Sequence, residues 1–262
     1  MMEVILLKLG GSLITEKSQR ETARPEVIAR LAEEIARAAA RIPERLVLGH
    51  GSGSFGHVAA QEHGIASGLT SPAQLPGISR TQERAAALHR EVIDKLLAAG
   101  LAPFSIAPSS CLIFKGGKPD LALKPLLLAL KNGLMPVVYG DVVMDLDQGV
   151  TICSTERMLE ILAHRLPVRR ALWLGETDGV YDGQGRTIPR LSADGFEEAL
   201  ESIGSPAGTD VTGGMRHRVE TALALTRLGI RSLLLNGLTP GLLERALLGE
   251  DVPGTIIEAE RT

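Results

Sequence analysis

Aromatic side chains are scarce in this chain of 262 residues. Phe, Tyr and Trp make up 3% of it, against 44% for hydrophobic residues of all kinds. The core must therefore be built from Leu, Ile, Val and Ala. Charge of one sign is also lacking. The formal net charge is −3, which excludes a general nucleic-acid surface and leaves any bound anion to be met by local groups. There are two cysteines, Cys111 and Cys153, in no metal-like spacing. They read as reduced, small core residues of a cytoplasmic protein. No apolar run reaches the ~18 residues of a membrane span; the run 121–130 is broken by Lys124 and Pro125. No signal peptide, low-complexity segment or repeat is visible. The P-loop pattern G-x-x-x-x-G-K-[ST] and the protein-kinase signatures H-R-D and D-F-G are missing too. The length suits one large α/β domain or two lobes with ample core.

What is abundant is glycine at the ends of apolar runs. Residues 46–57 read LVLGHGSGSFGH. A short strand runs into Gly49, Gly51, Gly53 and Gly56, with His50 and His57 between them, and a helix is expected from Val58. Strand, glycines and helix start together make an anion site: bare amides point outward, the helix dipole adds positive charge, and glycine lets backbone approach phosphate. Gly51-x-Gly53-x-x-Gly56 matches the dinucleotide fingerprint formally. The acidic residue needed about twenty positions on is absent from a region reading SGLTSPAQLPG.

Residues 3–9 (EVILLKL) form a strand that is apolar nearly throughout, as a parallel strand covered on both faces would be. Lys8 interrupts it beside Gly10-Gly11. Ligands of open α/β sheets bind at the carboxyl ends of strands, so Lys8 reads as an anion ligand rather than a snorkelling lysine. Lys17 alone reads as a loop lysine. The periodicity predicts helices over 25–42 and 79–99, the second with a Ser79/Gln82 capping box. His89 falls on its polar face. Hairpins are expected around Gly116-Gly117 and Asp147-Gln148-Gly149. Ser154-Thr155-Glu156 caps a helix running to about 166; Glu156 is either a dipole partner there or a site residue. A strand at 171–174 leads to Glu176 and Asp178. Gly213-Gly214 opens a helix with Arg216 and Arg218 in its first turn, where positive charge opposes the dipole unless an anion binds. Alternating strands and helices predict an α/β, three-layer αβα sandwich with an open, mostly parallel sheet. A boundary near 166 divides an N-terminal lobe, 1–166, from a C-terminal lobe, 167–262, within one compact unit.

With these residues laid out, the chain resembles the amino acid kinase superfamily and, within it, the isopentenyl phosphate kinases. The matching stretches run in order from LLKLGGSLITEK at 6–17 through HGSGSFGHVAA at 50–60, PVVYGDVV at 136–143 and TDGVYD at 177–182 to DVTGGMRHRVE at 210–220. KLGGS and TGG are shared across the superfamily, whereas H-G-x-G-S-F-G-H is far more specific.

The resemblance implies transfer of the γ-phosphoryl group of ATP, with Mg²⁺, to isopentenyl phosphate in isoprenoid biosynthesis. It implies that Lys8 and Lys17 stabilise the transferring group and that His57 binds the acceptor phosphate. It implies that Gly10 and Gly11 line the phosphate path, that Ser52, Gly53 and Thr155 contact acceptor or nucleotide phosphate through backbone, with Gly53 on the ATP side, and that Gly56 belongs to the acceptor site. The nucleotide is met in the C-terminal lobe by Glu176, Asp178, Gly213 and Arg218. A small phosphate substrate, a homodimer, and no nucleic-acid or membrane partner are implied as well. Members usually carry Lys at 218, Asp at 156, and Gly at 155 and 52. The added side chains of Thr155 and Ser52 are expected close to the acceptor phosphate. Two other readings stand beside this one: a kinase of another small phosphate, phosphonate or acid, as the related fosfomycin kinases are, and an inactive nucleotide-binding regulator.

Overall fold

The computed structural model describes residues 2–16, 18–56, 64–192 and 213–259. In chain order the elements are β1 (Val4–Leu9), α1 (Gly11–Ile14), α2 (Pro25–Ala39), β2 (Arg45–His50), α3 (Leu75–Ala98), β3 (Pro103–Ser105), α4 (Pro108–Cys111), β4 (Leu112–Lys115), β5 (Lys118–Leu121), α5 (Lys124–Lys131), β6 (Met135–Tyr139), β7 (Asp141–Asp145), β8 (Gly149–Cys153), α6 (Thr155–Ala163), β9 (Val168–Gly175), β10 (Arg190–Leu191), α7 (Gly213–Thr226), β11 (Arg231–Asn236), α8 (Leu242–Leu247) and β12 (Thr255–Ile257).

Eight strands form the central sheet in the order β10-β12-β11-β9-β1-β2-β6-β3. Every pairing in it is parallel except that of β11 with β12. Side chains alternate across the sheet, and each face finds its own helices. Val4 and Leu6 of β1 pack with Met158 and Leu162 of α6 and with Val219 and Leu225 of α7. Ile5, Leu7 and Leu9 pack with Ile28 and Leu31 of α2, Val92 of α3 and Leu243 of α8. That is the three-layer αβα sandwich. β1 pairs with β2 on one side and β9 on the other, so one sheet runs through both halves of the chain.

The two expected hairpins exist, but they join into a second sheet of order β5-β4-β7-β8. α3 begins four residues before the expected Ser79. Its lead-in is a 3₁₀ turn over Pro72–Gln74, and the capping box is Ser71 with Gln74. Pro76 then sits in the first turn of α3, where its missing N–H costs nothing. α2 stops at Ala39 rather than 42. β9 starts three residues early because Val168 finds a partner in Val4. Residues 53–56 are already helical, so the helix after the glycine loop opens at Gly53 rather than after His57. The irregular stretch expected at 191–206 lies outside the described residues from 193 on. Among the described residues no helix is long and apolar enough to cross a membrane.

Candidate active site

The parallel register brings the strand ends level. Leu9 pairs with His50 and Leu174, His50 with Tyr139, and Leu174 with Leu235. The segments that follow, Gly10-Gly11, Gly51–Gly53, Gly140-Asp141 and Gly175-Glu176, therefore meet at one edge of the sheet. A cavity of about 440 Å³ opens there.

Lys8 lies at its floor and is only 3% exposed, which disposes of a snorkelling lysine. In the alternation of β1 it takes the next place after Val4 and Leu6, on the face that α6 covers. The first turn of α6 holds Glu156, and the two side chains form a buried ion pair. Burial on its own would raise the Glu156 carboxyl; the Lys8 ammonium outweighs it and holds the group down to about 2. Burial lowers the pKa of Lys8, Glu156 opposes this, and Arg218 adds to it. Glu156 is thus the counter-ion of Lys8, more than a dipole partner.

Two helix N-termini meet at the cavity wall. α1 opens at Gly11, and the helix after β2 opens at Gly53. Their backbones touch: a Cβ on Gly11 would stand 2.5 Å from Gly53 N, and one on Gly51 would stand 2.7 Å from Gly11 N. Gly53 itself has φ +48° and backs onto Thr15. Thr15 Oγ1 donates to Gly11 O at 2.8 Å and accepts from Ser54 N at 3.1 Å, which ties the two termini together. A third N-terminus arrives with α7, whose Gly214 and Met215 line the same cavity. Three helix starts around one lysine are an anion cradle.

Of the residues read from sequence, Lys8, Gly11, Ser52, Gly53, Gly56, Thr155, Glu176 and Arg218 all line this cavity. Gly10 sits beside it: a Cβ there would meet Leu174 O at 2.7 Å and the Arg218 guanidinium at 3.4 Å. Gly213 is the first residue of α7. Arg218 is buried and folds back over Gly175, whereas Arg216 turns outward to Glu220 at 2.8 Å. Asp178 does not line this cavity; it is exposed and accepts a hydrogen bond from Asn236 Nδ2 at 2.9 Å. Lys17 and His57 lie outside the described residues.

One expectation needs correction. His89 is not a polar-face residue: it is 6% exposed and hydrogen-bonded at both ring nitrogens. Thr155 lines the cavity with its hydroxyl already engaged. Its Oγ1 donates to His50 O at 2.6 Å and its methyl lies over Gly49.

Sequence reasoning passed over Asp141 and two apolar lining residues of the cavity. Asp141 is buried, and its carboxylate accepts from the amides of Ser109 at 3.1 Å and Val142 at 2.8 Å. The signal was Gly140-Asp141 at the end of β6. Ala85 from α3 and Ile152 from β8 also line the cavity; nothing local in sequence marks them.

A parallel sheet whose strand ends gather glycine-opened helices around a buried lysine defines a phosphate-handling α/β protein. The chain belongs to the amino acid kinase family, whose sequence pattern matches residues 3–236, and membership implies use of ATP. It is 37% identical to the isopentenyl phosphate kinase of Methanothermobacter thermautotrophicus, over 97% of this chain and 98% of that one. It is 34% identical to the isopentenyl phosphate kinase of Haloferax volcanii, over 99% and 100%. Among solved structures it is similar to an isopentenyl phosphate kinase with a TM-score of 0.82 and 32% identity, over 97% of this chain and all of the other.

Proposed function

We propose that this protein transfers the γ-phosphoryl group of ATP to isopentenyl phosphate, giving isopentenyl diphosphate. The observation that carries the reading is the buried Lys8 in one cavity with the helix starts at Gly11, Gly53 and Gly214, a cavity that Ala85 and Ile152 also line. Its nearly full-length likeness to isopentenyl phosphate kinases supports the same substrate.

Phosphoryl transfer asks for two phosphates held in line and for positive charge on the oxygens of the group in flight. Lys8 supplies that charge from a site that excludes water, and Lys17 supplies a second. The amides at Gly11 and Gly53 need no reorganisation to meet phosphate oxygens. The acceptor is already ionised, so no strong general base is required; His57 holds its phosphate through a ring N–H. Ala85 and Ile152 give the isopentenyl tail a slot. The nucleotide enters from the side of Glu176, Gly213 and Arg218, so residues 1–166 serve the acceptor and 167–262 the donor. Among the described residues no group of three or more His, Cys, Asp or Glu stands close enough to cage a metal. Mg²⁺ is assigned to the ATP phosphates, the usual way this ion is held, where it would supply further charge neutralisation. A homodimer is proposed on family resemblance.

The test is ADP release with Mg·ATP, offering isopentenyl phosphate, dimethylallyl phosphate and fosfomycin separately. Turnover on isopentenyl phosphate at ordinary enzyme rates is the expected result. ATP binding without that turnover overturns the reading, and turnover on fosfomycin alone replaces it.

A further inference from the structure

The glycine loop is tied to the edge of the sheet by a line of buried hydrogen bonds. His50 closes β2 and is fully buried. Its Nδ1 lies 3.2 Å from Gly51 O, and its Nε2 lies 2.9 Å from His89 Nδ1. His89 Nε2 in turn lies 2.8 Å from the hydroxyl of Ser105, an exposed residue of edge strand β3. The two imidazoles lie side by side and nearly coplanar, 17° apart with centroids 5.2 Å apart, as the bond between them requires, and Tyr139 stacks on His89 at 4.3 Å.

The direction of every bond follows from the first. A carbonyl oxygen only accepts, so His50 Nδ1 carries the proton. Burial holds His50 down to about 4, and burial with the nearby His50 and Arg90 holds His89 down to about 3. Both rings are neutral near pH 7. His50 Nε2 is therefore bare and accepts from His89 Nδ1–H. His89 Nε2 is bare in turn and accepts from the Ser105 hydroxyl. Each ring holds one tautomer, and the line runs one way, from Ser105 to Gly51.

Its end point is the peptide between Gly51 and Ser52. In a trans peptide the carbonyl and the next N–H point in opposite directions. With the Gly51 carbonyl turned to His50, the Ser52 amide is turned away from it. Among the described residues neither the Ser52 nor the Gly53 amide has a protein acceptor, and both residues line the cavity.

We propose that His89, acting through His50, is a positioning residue for phosphoryl transfer: it locks the Gly51 peptide so that the Ser52 and Gly53 amides are presented to the acceptor phosphate. This rests on the kinase reading above and adds to it a residue of α3. His89 touches no substrate. Its effect falls on acceptor binding and leaves the nucleotide side alone.

The experiment compares wild type with His89→Leu, which keeps bulk and removes the donor, and His89→Asn, which restores an N–H near the Nδ1 position. His89→Leu is expected to raise the KM for isopentenyl phosphate about tenfold, the scale of one hydrogen bond, with the KM for ATP unchanged. His89→Asn is expected to recover most of the loss. An unchanged acceptor KM in His89→Leu overturns the proposal. So does equal loss for ATP and acceptor that His89→Asn does not rescue, the mark of a merely structural residue.

Titration with inorganic phosphate, followed by the amide signals of Ser52 and Gly53, separates the two readings. A response in wild type that weakens in His89→Leu upholds the positioning role even if isopentenyl phosphate is not the substrate. No response in wild type overturns it. Should His89→Leu fail to fold, Ser105→Ala on the exposed edge reads the same line; a smaller rise in acceptor KM supports the proposal, and no rise overturns it.

Discussion

Gly11 and Gly53 come from different βα turns and meet backbone against backbone; a Cβ on Gly11 would stand 2.8 Å from Gly53 Cα. Neither partner is a side chain that could swing aside. The contact sets the distance between the two helix N-termini, and so the width of the phosphate path. Gly11→Ala is therefore expected to cost about 1–3 kcal/mol of stability and to lower kcat/KM about a hundredfold by displacing the reacting groups. Chemical denaturation and steady-state kinetics check the two parts. Wild-type kcat/KM in a folded Gly11→Ala variant would show that the path tolerates widening.

Glu156→Gln leaves Lys8 buried without its counter-ion. Loss of one member of such a pair costs about 3 kcal/mol or more. A second effect is more specific. Burial already lowers the Lys8 pKa, and Glu156 opposes that. Removing the carboxylate lets the pKa fall further, so Lys8 loses its proton at lower pH than in wild type. The alkaline limb of the kcat–pH profile is expected to move to lower pH in Glu156→Gln. Profiles that coincide would take Lys8 out of the rate-limiting chemistry.

The buried histidines give stability a pH dependence. Their folded values, about 4 for His50 and about 3 for His89, lie below the ordinary 6.5. Below 6.5 the unfolded chain binds protons that the folded one refuses, so stability is full above 6.5 and falls as pH drops toward 4. Glu156 acts in the same sense further down, from 4.5 toward about 2. Tm measured from pH 7 to pH 4 is expected to fall steadily, with a shallower slope in His89→Leu. A flat Tm across that range would mean that the rings protonate without cost.

Thr155→Val keeps the shape of the side chain and removes the donor to His50 O. It is expected to cost about 1 kcal/mol and to leave the acceptor KM alone, because the hydroxyl is already spent on His50 O. A changed acceptor KM would return Thr155 to the substrate side.

Much of the fold was legible because its signals are local. Continuous apolar runs such as 4–9 mark strands covered on both faces, and glycines at their ends mark where ligands are met. Boundaries moved where a tertiary partner decided them, as Val4 did for Val168. The glycines at the strand ends were legible for the same local reason, since backbones that meet as closely as Gly11 and Gly53 do cannot carry a Cβ.

The sequence by itself determined the layered α/β class and the family, and it put Lys8 and the glycine turns at the strand ends, all written in residues close together in the chain. Only the tertiary structure decided who partners whom. Lys8 and Glu156 are far apart in sequence, and their pairing depends on α6 crossing the face of β1 that Lys8 shares with Val4 and Leu6. His89 looked like a surface residue on helical periodicity, because that pattern cannot see a second histidine and a serine waiting across the packing interface. That the Thr155 hydroxyl donates to His50 O was equally out of reach, because a one-dimensional reading gives a side chain's position without its direction. Periodicity and spacing report the chain's own backbone geometry; the pairing of buried charges and the direction of buried hydrogen bonds belong to the packing between elements.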